Sequence, residues 1–138
     1  MTRLRGVRQA AFDLKQRTVP TTQYTNNCSM TLRPGEVVLI RIDYHQTSGG
    51  KIRPAVVLLD CRDDDFVAAP ITSHPQRSDF DVAIDHWREA GLNVASTIRI
   101  HKLTVLAKDD IVRRLGHLVN VDRGVLAQAL RRAFSLDQ

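Results

Sequence analysis

Two short stretches of this chain hold residues able to handle an anion. In KIRPAVVLLD, residues 51–60, Arg53 stands directly before Pro54 and a run of five apolar residues. In the second stretch, Ile71-Thr72-Ser73-His74 closes another apolar run. A guanidinium offers a planar fork of donors and a hydroxyl offers one more, so Arg53 and Thr72 together can hold two oxygens of a phosphate. Each also has a plainer reading: Arg53 as a solvated loop charge, Thr72 and Ser73 as hydroxyls that satisfy backbone groups at a turn. His74, two residues from Thr72, can carry a proton because imidazole titrates near neutrality, or can be an exposed loop histidine.

The elements that must position these groups are short strands. Residues 55–59 are apolar, rich in β-branched side chains and closed by charges, which favours a buried strand over a helix. Proline lacks an N–H and is tolerated at a strand's first residue, and it also biases the residue before it toward an extended backbone. Arg53 is therefore expected to be held at the mouth of a strand that begins beside Pro54. The turn signal Arg33-Pro34-Gly35 leads into a strand over residues 36–43, the polar run 61–65 makes a hairpin turn, and 66–72 returns as a third strand. Antiparallel pairing then brings Thr72 back beside Arg53.

Farther on, residues 79–84 alternate, 85–90 with Gly91 after them predict one capped helical turn, and 97–106 and 111–118 predict further strands, the last interrupted by Gly116. Residues 122–134 repeat apolar side chains at helical spacing, with Asn120 or Asp122 able to cap the start. Five to seven short strands and one closing helix make a small, mainly β barrel. His101 and Lys102 are candidate phosphate contacts, but on a strand one of the two would face inward. Trp87 can stack a base, though a lone tryptophan on a helical turn is more often packing. No partner is evident for His45, His86 or His117.

Composition narrows the class. With 138 residues, 43% hydrophobic and 25% charged, the chain fits one domain able to bury a core unaided. No apolar run is long enough to span a bilayer, and no apolar segment follows the basic start, so a cytoplasmic protein is expected. Cys28 and Cys61 lack ligand-spaced companions, which points to free thiols and no metal. Of the net charge of +5, residues 1–29 supply +4, from five basic residues against Asp13. The body is nearly neutral, so any nucleic-acid contact must be local. Residues 1–29 read as a basic, polar extension, Met30 as an alternative start, and 30–138 as a single domain.

Taken in order, Gly49-Gly50, Ile52-Arg53-Pro54-Ala55-Val56-Val57, Ala69-Pro70-Ile71-Thr72-Ser73, residues 84–91 and Ser96 resemble the MazF/PemK family of toxin endoribonucleases, across residues 34–136. The resemblance implies an SH3-like antiparallel β-barrel of the MazF/CcdB type with a C-terminal α-helix. It implies a homodimer that cuts single-stranded RNA, mRNA included, without metal or cofactor, by 2′-OH attack that leaves a cyclic phosphate. It further implies a cognate antitoxin whose tail occupies the RNA groove. The family's catalytic arginine and threonine fall on Arg53 and Thr72. Gly49, Gly50, Lys51, Ser73, His74 and Lys102 are the expected substrate-binding residues. An arginine holds its proton too tightly to be a good general base, so Arg53 is expected to stabilise the transition state and protonate the leaving group. The run His101-Lys102-Leu103-Thr104 departs from the family's acidic residue, glutamine, hydrophobe and arginine, which bears on base recognition. Two other functions remain open: a non-catalytic inhibitor of a target enzyme on the same fold, as in the CcdB toxins, and a weakened member serving as an RNA-binding or regulatory module.

Overall fold

The computed structural model describes residues 30–42 and 50–137, so the expected extension over 1–29 and the loop holding Gly49 lie outside the described residues. Thr31–Gln138 forms one compact unit. Its first strand starts where the sequence places a turn. Pro34 and Gly35 occupy the central positions, Gly35 has φ of +93°, and Glu36 N–H donates to Arg33 O at 3.0 Å, as a type II turn requires. The same glycine ties the turn to the sheet, donating to Val57 O at 2.7 Å and accepting from Leu118 N–H at 2.9 Å.

Strands β1 (Glu36–Ile42), β2 (Lys51–Asp60) and β3 (Asp65–Thr72) form the expected antiparallel meander. β2 is longer than its apolar run predicts. It starts at Lys51, because β1 continues far enough to pair with its first six residues, from Val37 opposite Val56 to Ile42 opposite Lys51. Pro54 therefore sits inside the strand and opposite Leu39, not at its first residue. The position tolerates proline because the β2–β3 ladder reaches only to Ala55 opposite Pro70, and beyond that point β1 is the single ladder partner of β2 among the described residues.

After β4 (Asp81–Ile84), the strand expected over 97–106 is two strands in line, β5 (Ser96–Arg99) and β6 (Thr104–Ala107), parted by a 3-10 turn at Ile100–Lys102. Both lie along β3: β5 pairs with Ile71 and Thr72, β6 with Asp65 through Ala68. Between the two ladders the register slips by three residues, the length of the turn, which bulges out of the sheet. His101 and Lys102 consequently lie on this turn, both exposed, instead of alternating across a strand. β7 (Ile111–His117) runs through Gly116 and pairs with β1. The sheet order is β4-β5-β3-β2-β1-β7, with β6 beside β3, and no ladder joins β4 to β7 among the described residues.

The helix α1 (Asn120–Ala133) closes the chain. Its start has no side-chain cap. Asp122 instead reaches the 85–95 loop, accepting His86 N–H at 3.0 Å with the imidazole Nδ1 at 3.5 Å. Residues 85–90 are hydrogen-bonded turns rather than a helical segment, closed by Gly91 at φ of +89°. Leu126 and Ala129 of α1 join Val37, Val56, Ala69, Ile71, Val82, Ile98 and Ile100 in the main core. Trp87 packs against that core, with the Arg88 guanidinium 4.6 Å from its ring centre, so its role here is packing.

Candidate active site

Arg53 and Thr72 belong to the two strands of one hairpin. Ala55 and Pro70 make the last pair of their ladder, and continuing that register by two residues sets Arg53 against Thr72. The ladder stops short of them. Pro54 and Pro70 have no N–H with which to extend it, and the last two residues of β3 pair with β5. Beyond the last rung lies a cleft of about 280 Å³.

Arg53, Thr72, Ser73, Asn93, Ser96 and Arg113 supply its polar lining, and Leu39, Ile71, Leu92, Val94 and Leu115 most of the rest. No carboxylate is among these residues. Arg53 and Arg113 are exposed and their guanidiniums have no hydrogen-bonded or ion-paired partner among the described residues, whereas the adjacent Arg114 is engaged by Glu36 at 3.1 Å and by Thr31 O at 2.6 Å. Two uncompensated cations and several neutral hydrogen-bonding groups over an apolar base make a site for an anion that carries an apolar or aromatic part.

The Thr72 hydroxyl has a defined direction. Its Oγ1 accepts His74 N–H at 3.2 Å, which leaves the hydroxyl hydrogen available to donate. The loop that follows is held by Asp81, a buried residue whose Oδ2 accepts Arg77 N–H and Ser78 N–H at 2.8 and 3.2 Å and whose main-chain oxygen accepts from Gln76 at 2.7 Å. Arg99 lies 3.5 Å from Asp81 Oδ1, close enough for charge attraction but not in hydrogen-bonding geometry.

Asn93 and Arg113 reach the cleft by tertiary packing. A Cβ on Gly91 would stand 2.3 Å from Leu115 O, and one on Gly116 would stand 2.8 Å from Ala90 O. The two glycines thus let the 85–95 loop lie backbone to backbone on β7, which brings Asn93 into the cleft that Arg113 also lines.

Of the residues expected at the site, Arg53, Thr72 and Ser73 line the cleft. Gly50, just before β2, and Lys51, its first residue, do not, nor do His74 and Lys102, and Gly49 lies outside the described residues. His101 is placed against the Phe80 ring, with centroids 5.7 Å apart. Arg113 and Asn93 carry no local sign of their place: one is an arginine in a short strand of mixed pattern, the other a polar loop residue.

Comparison with known proteins agrees with this architecture. The Mycobacterium tuberculosis toxin MazF-mt6 is 25% identical and superposes with a TM-score of 0.61, over 77% of this chain and 100% of that one. An endoribonuclease from a mycobacterial species, solved with its cognate antitoxin, is 18% identical with a TM-score of 0.62, over 78% and 99% of the two chains. A MazE–MazF complex from Deinococcus radiodurans is 20% identical with a TM-score of 0.59, over 72% and 92%. The latter two show the shared fold. Comparison with curated proteins by sequence gives no match. The family pattern of PemK-like, MazF-like toxins of type II toxin-antitoxin systems matches residues 33–134. That span runs from the turn before β1 to the end of α1, and the chain belongs to this family of toxins.

Proposed function

We propose that the protein is an endoribonuclease that cuts single-stranded RNA in the Arg53–Thr72 cleft and acts as a homodimer restrained by a cognate antitoxin. The observation that carries this reading is the Arg53 guanidinium, unpaired among the described residues, in one cleft with a Thr72 hydroxyl whose hydrogen is free to donate. Two of the similar folds are complexes with antitoxins, which supports a protein partner of the same kind here.

In the proposed reaction the ribose 2′-oxygen attacks the adjacent phosphorus and the bond from phosphorus to the 5′-oxygen breaks. One proton passes from the 2′-OH to solvent water and one reaches the 5′-oxygen from Arg53, which regains its proton from solvent, so the products are a 2′,3′-cyclic phosphate and a 5′-hydroxyl with no net proton change. Negative charge accumulates on the phosphoryl oxygens as the phosphorane forms. Arg53 neutralises it through its fork and delivers the leaving-group proton, while Thr72 donates to one phosphoryl oxygen. The apolar residues beside them offer a surface for a flanking base.

The test is cleavage of a long single-stranded RNA by the full chain in EDTA, beside Arg53→Ala, with analysis of the product 3′ ends. Cyclic-phosphate ends that disappear in the variant are expected. A folded wild-type protein that leaves a broad panel of RNAs intact would overturn the enzyme reading in favour of a binding-only toxin.

A further inference from the structure

Arg113 remains unexplained by a mechanism that needs one cation at one phosphate. It lines the same cleft as Arg53 but comes from β7, two strands away: Leu39 on β1 is the register partner of both Pro54 on one side and Arg113 on the other. Neighbouring strands stand about 4.8 Å apart, so the backbones of Arg113 and Pro54 are separated by roughly 10 Å. Leu39 lies between them. Arg53, the residue before Pro54, and Arg113 therefore join the lining of one cleft from the strands on either side of β1. Neither guanidinium is paired with a carboxylate among the described residues, and two like charges lining one small cleft favour an occupant that brings more than one negative charge.

We propose that Arg113 binds a second phosphate of the RNA strand, next to the phosphate held by Arg53, so that the cleft grips two consecutive phosphates across Leu39. The inference rests on the proposed RNA-cleaving function and adds a residue that fixes the strand's position along the cleft. Arg113 acts here by holding the strand, not by touching the reacting atoms.

Salt dependence of binding tests this without requiring cleavage. Each phosphate neutralised on a single strand contributes about 0.7 to the slope of log affinity against log salt. The probe is a short fluorescent 2′-O-methyl oligoribonucleotide pool of mixed sequence, which lacks the attacking hydroxyl. It is titrated with wild type, Arg53→Gln, Arg113→Gln, the double variant and Arg113→Lys. Each Gln variant is expected to lower the slope by about 0.7 and the double variant by about 1.4, with Arg113→Lys retaining the wild-type slope. An unchanged slope in Arg113→Gln, a double variant no lower than Arg53→Gln alone, or no wild-type binding would overturn the proposal. The cleavage reading fails separately: a wild type that shows these slopes yet leaves the matching ribose RNA intact refutes the enzyme while the two-phosphate grip stands.

Discussion

Thr72 Oγ1 is already an acceptor for the His74 N–H, so what this residue has left to give a ligand is one hydrogen. Thr72→Ser keeps that hydrogen and should retain cleavage within a few-fold. Thr72→Val keeps the shape and loses it, and a fall of about 10²-fold is expected, in the range seen when a single transition-state donor is removed. Arg53→Lys should lose most of the activity that Arg53→Ala loses, because an ammonium cannot reproduce a two-pronged grip on a phosphate. Initial rates on one RNA substrate decide both. These two residues were legible because they are neighbours through the hairpin of β2 and β3, residues 51–72, and hairpin pairing follows from local pattern. Arg113 was not. It reaches the cleft through β1–β7 pairing across more than seventy residues, and no local signal specifies which strand closes next to β1.

At the scale of elements, the contact between the 85–95 loop and β7 depends on two missing side chains. Gly116→Ala would push a methyl toward the Ala90 carbonyl, which is backbone and cannot simply swing aside. A loss of about 1–3 kcal/mol is expected, with weaker RNA binding as the loop that carries Asn93 shifts from the cleft. Gly91→Ala should cost more, since it adds a left-handed backbone to a closer clash. Thermal melts of both variants check the order.

The β2–β3 hairpin carries a different dependence. Buried Lys108 pairs with Asp60 at 2.8 Å, and Asp60 also accepts Leu32 N–H and Arg62 N–H. Partial burial by itself raises the Asp60 carboxyl, but the Leu32, Lys108 and Arg62 hydrogen bonds outweigh it and hold the pKa down at about 2. Because the folded value lies below the ordinary one, the stabilisation is complete above about pH 4 and is lost as pH falls from there toward 2. Asp60→Asn removes the charged partner from the Lys108 pair and weakens the acceptor for two backbone N–H groups, and should cost about 1–3 kcal/mol near neutrality, a gap to wild type that narrows over that acid window in denaturant titrations. The strand expected over 97–106 failed at this scale too. A three-residue bulge between two ladders on the same partner leaves no trace in apolar alternation, which sees both halves as one strand.

For the whole molecule, the placement of charge matters more than its sum. Residues 30–138 are almost neutral, so the cationic pair in the cleft stands out from its surroundings instead of extending a basic face. Binding should accordingly favour single strands that can enter the cleft over duplex held by its outer phosphates. A competition assay between single-stranded RNA and duplex DNA of equal length should therefore show little displacement by the duplex. The mainly β class, the opening meander and the closing helix were readable because turn residues and apolar periods punctuate the chain clearly. The path of the second half was not, since β5, β6 and β7 are short and their partners lie far back in sequence.

β7 is also the last strand in the sheet order, and beyond it no further strand is paired among the described residues. A bare strand edge is a template on which another chain can polymerise. Here that edge carries Arg113 and Arg114 side by side and is irregular, with two register breaks against β1. The arginine assigned to the ligand is thus also a guard against aggregation. Apolar replacements at Arg113 should precipitate on concentration where Arg113→Gln stays in solution, and loss of solubility, not loss of affinity, would be their first visible effect.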